Sequence, residues 1–184
     1  MKTNIILGVT GGIACYKSAD LCSKLVSAGY DVRVIMTENA TKLISEKIFQ
    51  TLSKNNVLTD LFSLSEQRPG HVNLAAWADL FVIAPATANI IGKIAHGIAD
   101  DALSSTAVAC RKPTLLAPAM NSMMWESPAV QANLALLQER GLLTVGPADG
   151  KLACGPGGIG RMSEPAEILE EIKKLTDFSK KSEK

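Results

Sequence analysis

Short apolar runs alternate along this chain with turns marked by glycine and proline. Ile5-Ile6-Leu7-Gly8-Val9 is continuous and apolar, and reads as a buried strand. Thr10-Gly11-Gly12 breaks it as a turn, residues 13–28 carry helical periodicity, and Gly29 is a helix stop. Val32-Arg33-Val34-Ile35-Met36 is the second strand. Strand, helix and strand in this order open a parallel sheet.

The alternation continues. Residues 79–84 predict a strand that ends at Pro85, 88–95 a short helix and 103–110 another. Residues 114–117 predict a strand ending at Pro118, 128–140 a helix closed by Gly141, and 142–145 the last strand. Glu164-Pro165 opens a final helix to about Leu175. One domain over 1–176 is expected, followed by a charged, disordered tail at 177–184. Two stretches are expected to be long loops that serve a site: 64–71, and 146–162 with its six glycines and two prolines.

Composition narrows the class. The 184 residues suit one domain of ordinary size. Hydrophobic residues make up 47% and aromatics 4%, which favours an Ile, Leu, Val and Ala core of the layered α/β kind. A net charge of +1, from 19 basic and 18 acidic residues, argues against electrostatic binding of nucleic acid. Met1-Lys2-Thr3-Asn4 runs straight into the first strand, an apolar segment too short to span a bilayer, and no export leader is visible. The expected location is therefore cytoplasmic. Cys15, Cys22, Cys110 and Cys154 form no C-x-x-C pair and the chain has two histidines, so no zinc site is expected. The cysteines read as free thiols.

Open parallel sheets bind ligands beyond the C-terminal ends of their strands. Those positions hold Thr10-Gly11-Gly12, Thr37, Pro85-Ala86-Thr87-Ala88-Asn89, Pro118-Ala119-Met120-Asn121 and the glycine-rich stretch. Glycines admit close backbone approach, helix N-termini offer N–H groups, and Thr37 and Thr87 add hydroxyls. The set suits a phosphate held by neutral donors. The spacing G-x-x-G-G at Gly8 to Gly12 is not the dinucleotide G-x-G-x-x-G, although Glu38 could stand for a ribose-binding carboxylate. His71 precedes a helix-like N-L-A-A-W-A and is either structural or an acid–base group. His96, before Gly97, suits a helix C-terminus and is assigned no chemistry. Cys154, among glycines in L-A-C-G, is placed to meet a ligand. Asn121 is either a helix cap or a ligand-binding amide, and Met120, Met123, Met124 and Trp125 read as packing.

Together these residues resemble a known family, the homo-oligomeric flavin-containing cysteine decarboxylases. Four segments carry the resemblance, which runs from about Ile5 to Pro165: T-G-G-I-A at 10–14; H-V-N-L-A-A-W-A-D at 71–79 with A-P-A-T-A-N at 84–89; P-A-M-N-S-M-M-W at 118–125, matching the family's P-x-M-N-x-x-M-W; and L-A-C-G at 152–155 with G-I-G-R-M at 158–162. Pro156 departs from the acidic residue that relatives commonly carry after A-C-G.

The resemblance implies a single Rossmann-like (flavodoxin-like) three-layer α/β domain that binds FMN. It implies cofactor contacts at Gly11, Gly12, Ile13, Ala14, Thr37, Thr87, Ala88, Asn89, Ile90, Ala119 and Met120. It implies substrate contacts at Asn121, Met124, Lys151, Leu152 and Ala153, and working residues at His71, Asn121 and Cys154. Family members are trimers or dodecamers built from trimers, so His71 and Asn121 are expected to meet from different chains. The implied reaction is that of the coenzyme A branch, from 4'-phosphopantothenoylcysteine to 4'-phosphopantetheine through a thioaldehyde and an ene-thiol. Asn121 would hold the carboxylate, His71 would act as base or polar anchor, and Cys154 would protonate the ene-thiol. Two alternatives stay open: decarboxylation of a C-terminal cysteine on a peptide, and a non-catalytic regulatory subunit.

Overall fold

The computed structural model of the chain describes residues 2–62, 70–150 and 157–182. The βαβ opening forms as its apolar pattern dictates. Strands β1 (Asn4–Val9) and β2 (Asp31–Met36) pair in parallel, with Ile5 beside Val32 and Val9 beside Met36. Helix α1 (Cys15–Ser27) is the crossover between them. Next come α2 (Glu38–Thr41), α3 (Glu46–Ser53) and β3 (Val57–Leu58), which lie where no element was expected. They are short, and capping carries them: Thr37 and Ser45 side chains accept the N–H groups of Ala40 and Lys47. The chain continues through α4 (Gly70–Trp77), β4 (Leu80–Ala86), α5 (Ala88–His96), α6 (Ala102–Ala109) and β5 (Thr114–Pro118). It closes with α7 (Ser122–Trp125), α8 (Pro128–Glu139), β6 (Leu143–Thr144), β7 (Ala148–Gly150), β8 (Gly158–Arg161) and α9 (Pro165–Ser182).

Six parallel strands stand in the order β3-β2-β1-β4-β5-β6. Side chains alternate across a strand, so the two faces of β1 bury different sets. Ile5, Leu7 and Val9 pack with Leu21, Phe49 and Ile168 of α1, α3 and α9. Ile6 packs with Leu74, Ile90 and Leu103 of α4, α5 and α6. Helices cover both faces, which is why every residue of β4 is buried and its sequence reads as one apolar run. This is the expected three-layer α/β domain. Strand order reverses between β1 and β4, and such a switch point opens a crevice beyond the strands' carboxyl ends. No helix among the described residues is long and apolar enough to cross a membrane.

Three expectations change. The stretch 146–162 is not simply a loop: β7 and β8 pair antiparallel as a hairpin. Its glycines have low strand propensity, and backbone pairing alone forms the ladder. The stretch 64–71 shortens, because α4 begins at Gly70 and takes His71 into its first turn; residues 63–69 lie outside the described residues. Helix α9 runs to Ser182, past the expected end at Leu175 and through most of the expected disordered tail. Its buried stripe Ile168, Ile172 and Thr176 keeps helical spacing, and Tyr30 Oη meets Thr176 Oγ1 at 3.1 Å.

Candidate active site

The crevice contains two clefts that share a wall at Gly12, Ala119 and Met120. The inner one, about 500 Å³, is bounded by the ends of the four central strands. Thr10 follows β1 and its hydroxyl donates to the Pro85 carbonyl at 2.6 Å, which ties the β1 turn to the β4 turn. Thr37 follows β2 and caps α2, while Thr87 follows β4 and caps α5 by accepting the Ile90 N–H at 3.5 Å. Each capping oxygen accepts from its helix, so each hydroxyl keeps its own O–H as a donor. Ala88, Asn89 and Ile90 line the same cleft at the start of α5, and Met124 closes it from α7. A Cβ on Gly11 would overlap Asn39, and one on Gly12 would sit 3.2 Å from Thr87 Cγ2. The first turn thus packs closely on its two neighbours, and at Gly11 there is no room for a side chain. The result is a cradle of backbone, hydroxyls and small side chains in the size range of cofactor sites.

The outer cleft, about 660 Å³, lies between the start of α1 and the hairpin. Ile13 and Ala14 form one side, Asn121 stands at the junction, and Gly160 and Arg161 of β8 form the other. β8 docks on the β5 end through the Met120 N–H, which donates to the Gly160 carbonyl at 2.9 Å. Asn121 caps α7: its Oδ1 accepts the Met123 N–H at 2.9 Å. The helix cap and the cleft residue are therefore the same side chain. Lys17 is buried and donates to the Met162 carbonyl at 3.2 Å and to Glu164 Oε1 at 2.9 Å. Arg161 pairs with that same oxygen. The hydrogen bond from Lys17, and then that from Arg161, holds the Glu164 carboxyl below its ordinary value.

Other expected residues fall elsewhere. His71 lines neither cleft; it sits on α4, where its Nδ1 is buried without a hydrogen-bond partner among the described residues. Helix α4 is held by buried Leu74 and Ala75, and its Trp77 ring lies 4.3 Å beneath the Arg33 guanidinium. His96 ends α5 and meets Asn133 Oδ1 at 2.9 Å, a tie between α5 and α8. Glu38 is drawn to Lys42 at 2.8 Å. Cys15, Cys22 and Cys110 are free thiols. Lys151, Leu152, Ala153, Cys154 and Pro156 lie outside the described residues. Charged groups at the clefts were not foreseen: Lys93, Asp100 and Asp101 inside, Lys17, Arg161 and Glu164 outside. Only the cap signal Asp101-x-x-Ser104 was readable among them.

The chain is 49% identical over 174 residues to the coenzyme A biosynthesis bifunctional protein CoaBC of Bacillus subtilis (strain 168), covering 93% of this chain and 42% of that protein. It thus spans about two-fifths of the length of the curated relatives it matches. Its fold superposes on a cysteine-to-serine PPC decarboxylase complexed with pantothenoylaminoethenethiol, with a TM-score of 0.88 and 31% identity over 96% of this chain and all of that one. The FMN-dependent cysteine decarboxylase SpaF matches with a TM-score of 0.81 and 33% identity over 94% of each chain. The Flavoprotein family model matches residues 1–177, and the chain belongs to the Flavoprotein family.

Proposed function

We propose that this chain binds FMN in the inner cleft and decarboxylates the cysteine end of 4'-phosphopantothenoylcysteine, giving 4'-phosphopantetheine. One observation carries the reading: a cleft whose strand-end turns offer backbone, hydroxyls and small side chains shares its Ala119–Met120 wall with a second cleft in which Asn121 stands. Similarity to the CoaBC protein and to the PPC decarboxylase supports the substrate, because the ligand named in the latter complex is an ene-thiol, the decarboxylated and still unsaturated form.

Gly11, Gly12, Ile13 and Ala14 would hold the cofactor by backbone, Thr37 and Thr87 by hydroxyls, Ala88, Asn89 and Ile90 at the start of α5, and Ala119 and Met120 along the shared wall. When bound, FMN supplies a two-electron acceptor and donor, so that the carbon beside sulfur is oxidised before CO2 leaves and restored afterwards. Asn121 orients the substrate carboxylate. An amide side chain carries N–H donors that suit an anion, and its Oδ1 also accepts the Met123 N–H, which fixes the side chain at the start of α7. A neutral donor binds the carboxylate without opposing its loss, as a lysine would. Met124 and residues 151–153 contact the substrate, and Cys154 gives the proton that saturates the ene-thiol.

His71 works across a subunit boundary in a trimer or a dodecamer of trimers. Its buried Nδ1, without a partner among the described residues, and its absence from the described lining of both clefts support that role. The reaction is that of a cytoplasmic biosynthetic enzyme.

Incubation of the purified chain with 4'-phosphopantothenoylcysteine, followed by mass spectrometry, tests the proposal. Loss of CO2 with a saturated product is expected. An unchanged substrate, or turnover only of a peptide ending in cysteine, overturns it. A Cys154→Ser chain should release CO2 and accumulate the unsaturated thiol.

A further inference from the structure

The inner cleft holds a cation for which the proposed decarboxylation has no use. Lys93 sits in the last turn of α5, lines the cleft, and leaves 17% of its side chain exposed. Its Nζ lies 2.6 Å from Asp100 Oδ1 and 2.7 Å from Asp101 Oδ2. Asp101 is fixed independently, because its Oδ1 accepts the Ser104 N–H at 2.7 Å and caps α6. Both aspartates line the cleft, as does Glu38. Among the described residues, the charged groups of the lining are therefore three carboxylates and one ammonium. Glu38 has a partner of its own in Lys42, on the exposed rim. Asp100 and Asp101 have Lys93.

A wall of this composition is unusual for a site that takes a phosphate. Two neighbouring carboxylates oppose an incoming anion, and partial burial weakens the screening that would relieve them. Lys93 cancels one of these charges and holds both carboxylates in place. An ammonium has three N–H donors, and the two aspartates engage two. The third remains for a ligand.

We propose that Lys93 makes the inner cleft select a phosphorylated flavin over an unphosphorylated one, by neutralising the Asp100–Asp101 pair and giving its remaining N–H to the phosphate. This rests on FMN occupying the inner cleft. It assigns Lys93 to cofactor selection and gives it no part in decarboxylation.

The test uses the chain stripped of flavin and titrated with FMN or riboflavin, read by flavin fluorescence. The unaltered chain should bind FMN more tightly than riboflavin. Lys93→Gln should weaken FMN by about 10- to 30-fold while riboflavin changes by less than about twofold. Lys93→Arg should restore the preference for FMN. Asp100→Asn removes a carboxylate at a largely exposed position, where folding is safe, and should tighten FMN by about threefold or more without moving riboflavin. Equal weakening of both flavins by Lys93→Gln would make the residue a structural strut and overturn the proposal, as would unchanged FMN affinity in Asp100→Asn. If the unaltered chain binds neither flavin, the cofactor reading itself fails; if it binds both equally, only the selectivity assigned to Lys93 fails.

Discussion

Met120 donates its backbone N–H to the Gly160 carbonyl at 2.9 Å, and Gly160 carries no side chain where one would collide with the Met120 carbonyl oxygen. The φ of Gly160 is +152°, which side chains rarely adopt. The hairpin therefore rests on the β5 end with no room to spare. Gly160→Ala should cost about 2 kcal/mol or more in urea unfolding, through backbone strain and overpacking at one point. Its kcat/KM should fall further than the stability loss explains, because Met120 lines both clefts.

The tie between α1 and the chain after β8 should respond asymmetrically to mutation. Lys17→Met replaces a buried cation with an apolar side chain of similar length, and Glu164 retains Arg161; a cost of about 1 kcal/mol or less is expected. Glu164→Ala leaves the buried Lys17 without its counterion and should cost about 2–3 kcal/mol. The lowered Glu164 pKa makes this stabilisation present above its ordinary value and lost as pH falls through the lowered one. Urea midpoints of both variants at neutral and acidic pH check the order.

A site shared between chains has an arithmetic signature. His71→Asn and Asn121→Asp should each be inactive yet folded and yellow, the latter because aspartate caps α7 as well as asparagine does. Unfolding the two together in equal amounts and refolding them should regain about a quarter of wild-type activity, since a quarter of interfaces then pair an intact histidine with an intact asparagine. No recovery would place both groups in one chain.

Cys22 offers a pH test of the core. It is fully buried on the inner face of α1, and burial pushes its thiol up from 9.0 to about 12. Above pH 9 the unfolded chain loses this proton and the folded chain keeps it. Stability is then full below pH 9 and falls by up to about 1.4 kcal/mol per pH unit towards pH 12. Burial raises Cys15 and Cys110 as well, with the same sign. Cys22→Ala should reduce the slope of stability against pH between 9 and 11 without abolishing it, as measured by denaturant unfolding at each pH.

The sheet and much of the inner cleft were legible for one reason. Parallel strands are apolar throughout, and the turn after each of them is short and built of small residues. Thr10, Thr37, Thr87 and Ala119 could therefore be placed at the rim from the chain's pattern alone. The hairpin was not legible, because its strands are three and four residues long with three glycines among them, too short a run for an alternation to be read. Nor were the charge pairs. Lys17 and Glu164 lie 147 residues apart, and no local pattern connects them. Lys93 looks like any lysine at a helix end until the fold brings Asp100 and Asp101 to it.

The wall formed by Gly12, Ala119 and Met120 belongs to both clefts. Occupants on its two sides therefore read one another's presence. Whatever free energy the inner ligand contributes by fixing Met120, the outer ligand receives, and the coupling is equal in the other direction. With flavin in the inner cleft and substrate in the outer one, as proposed, substrate affinity should differ between the flavin-loaded and the flavin-free chain.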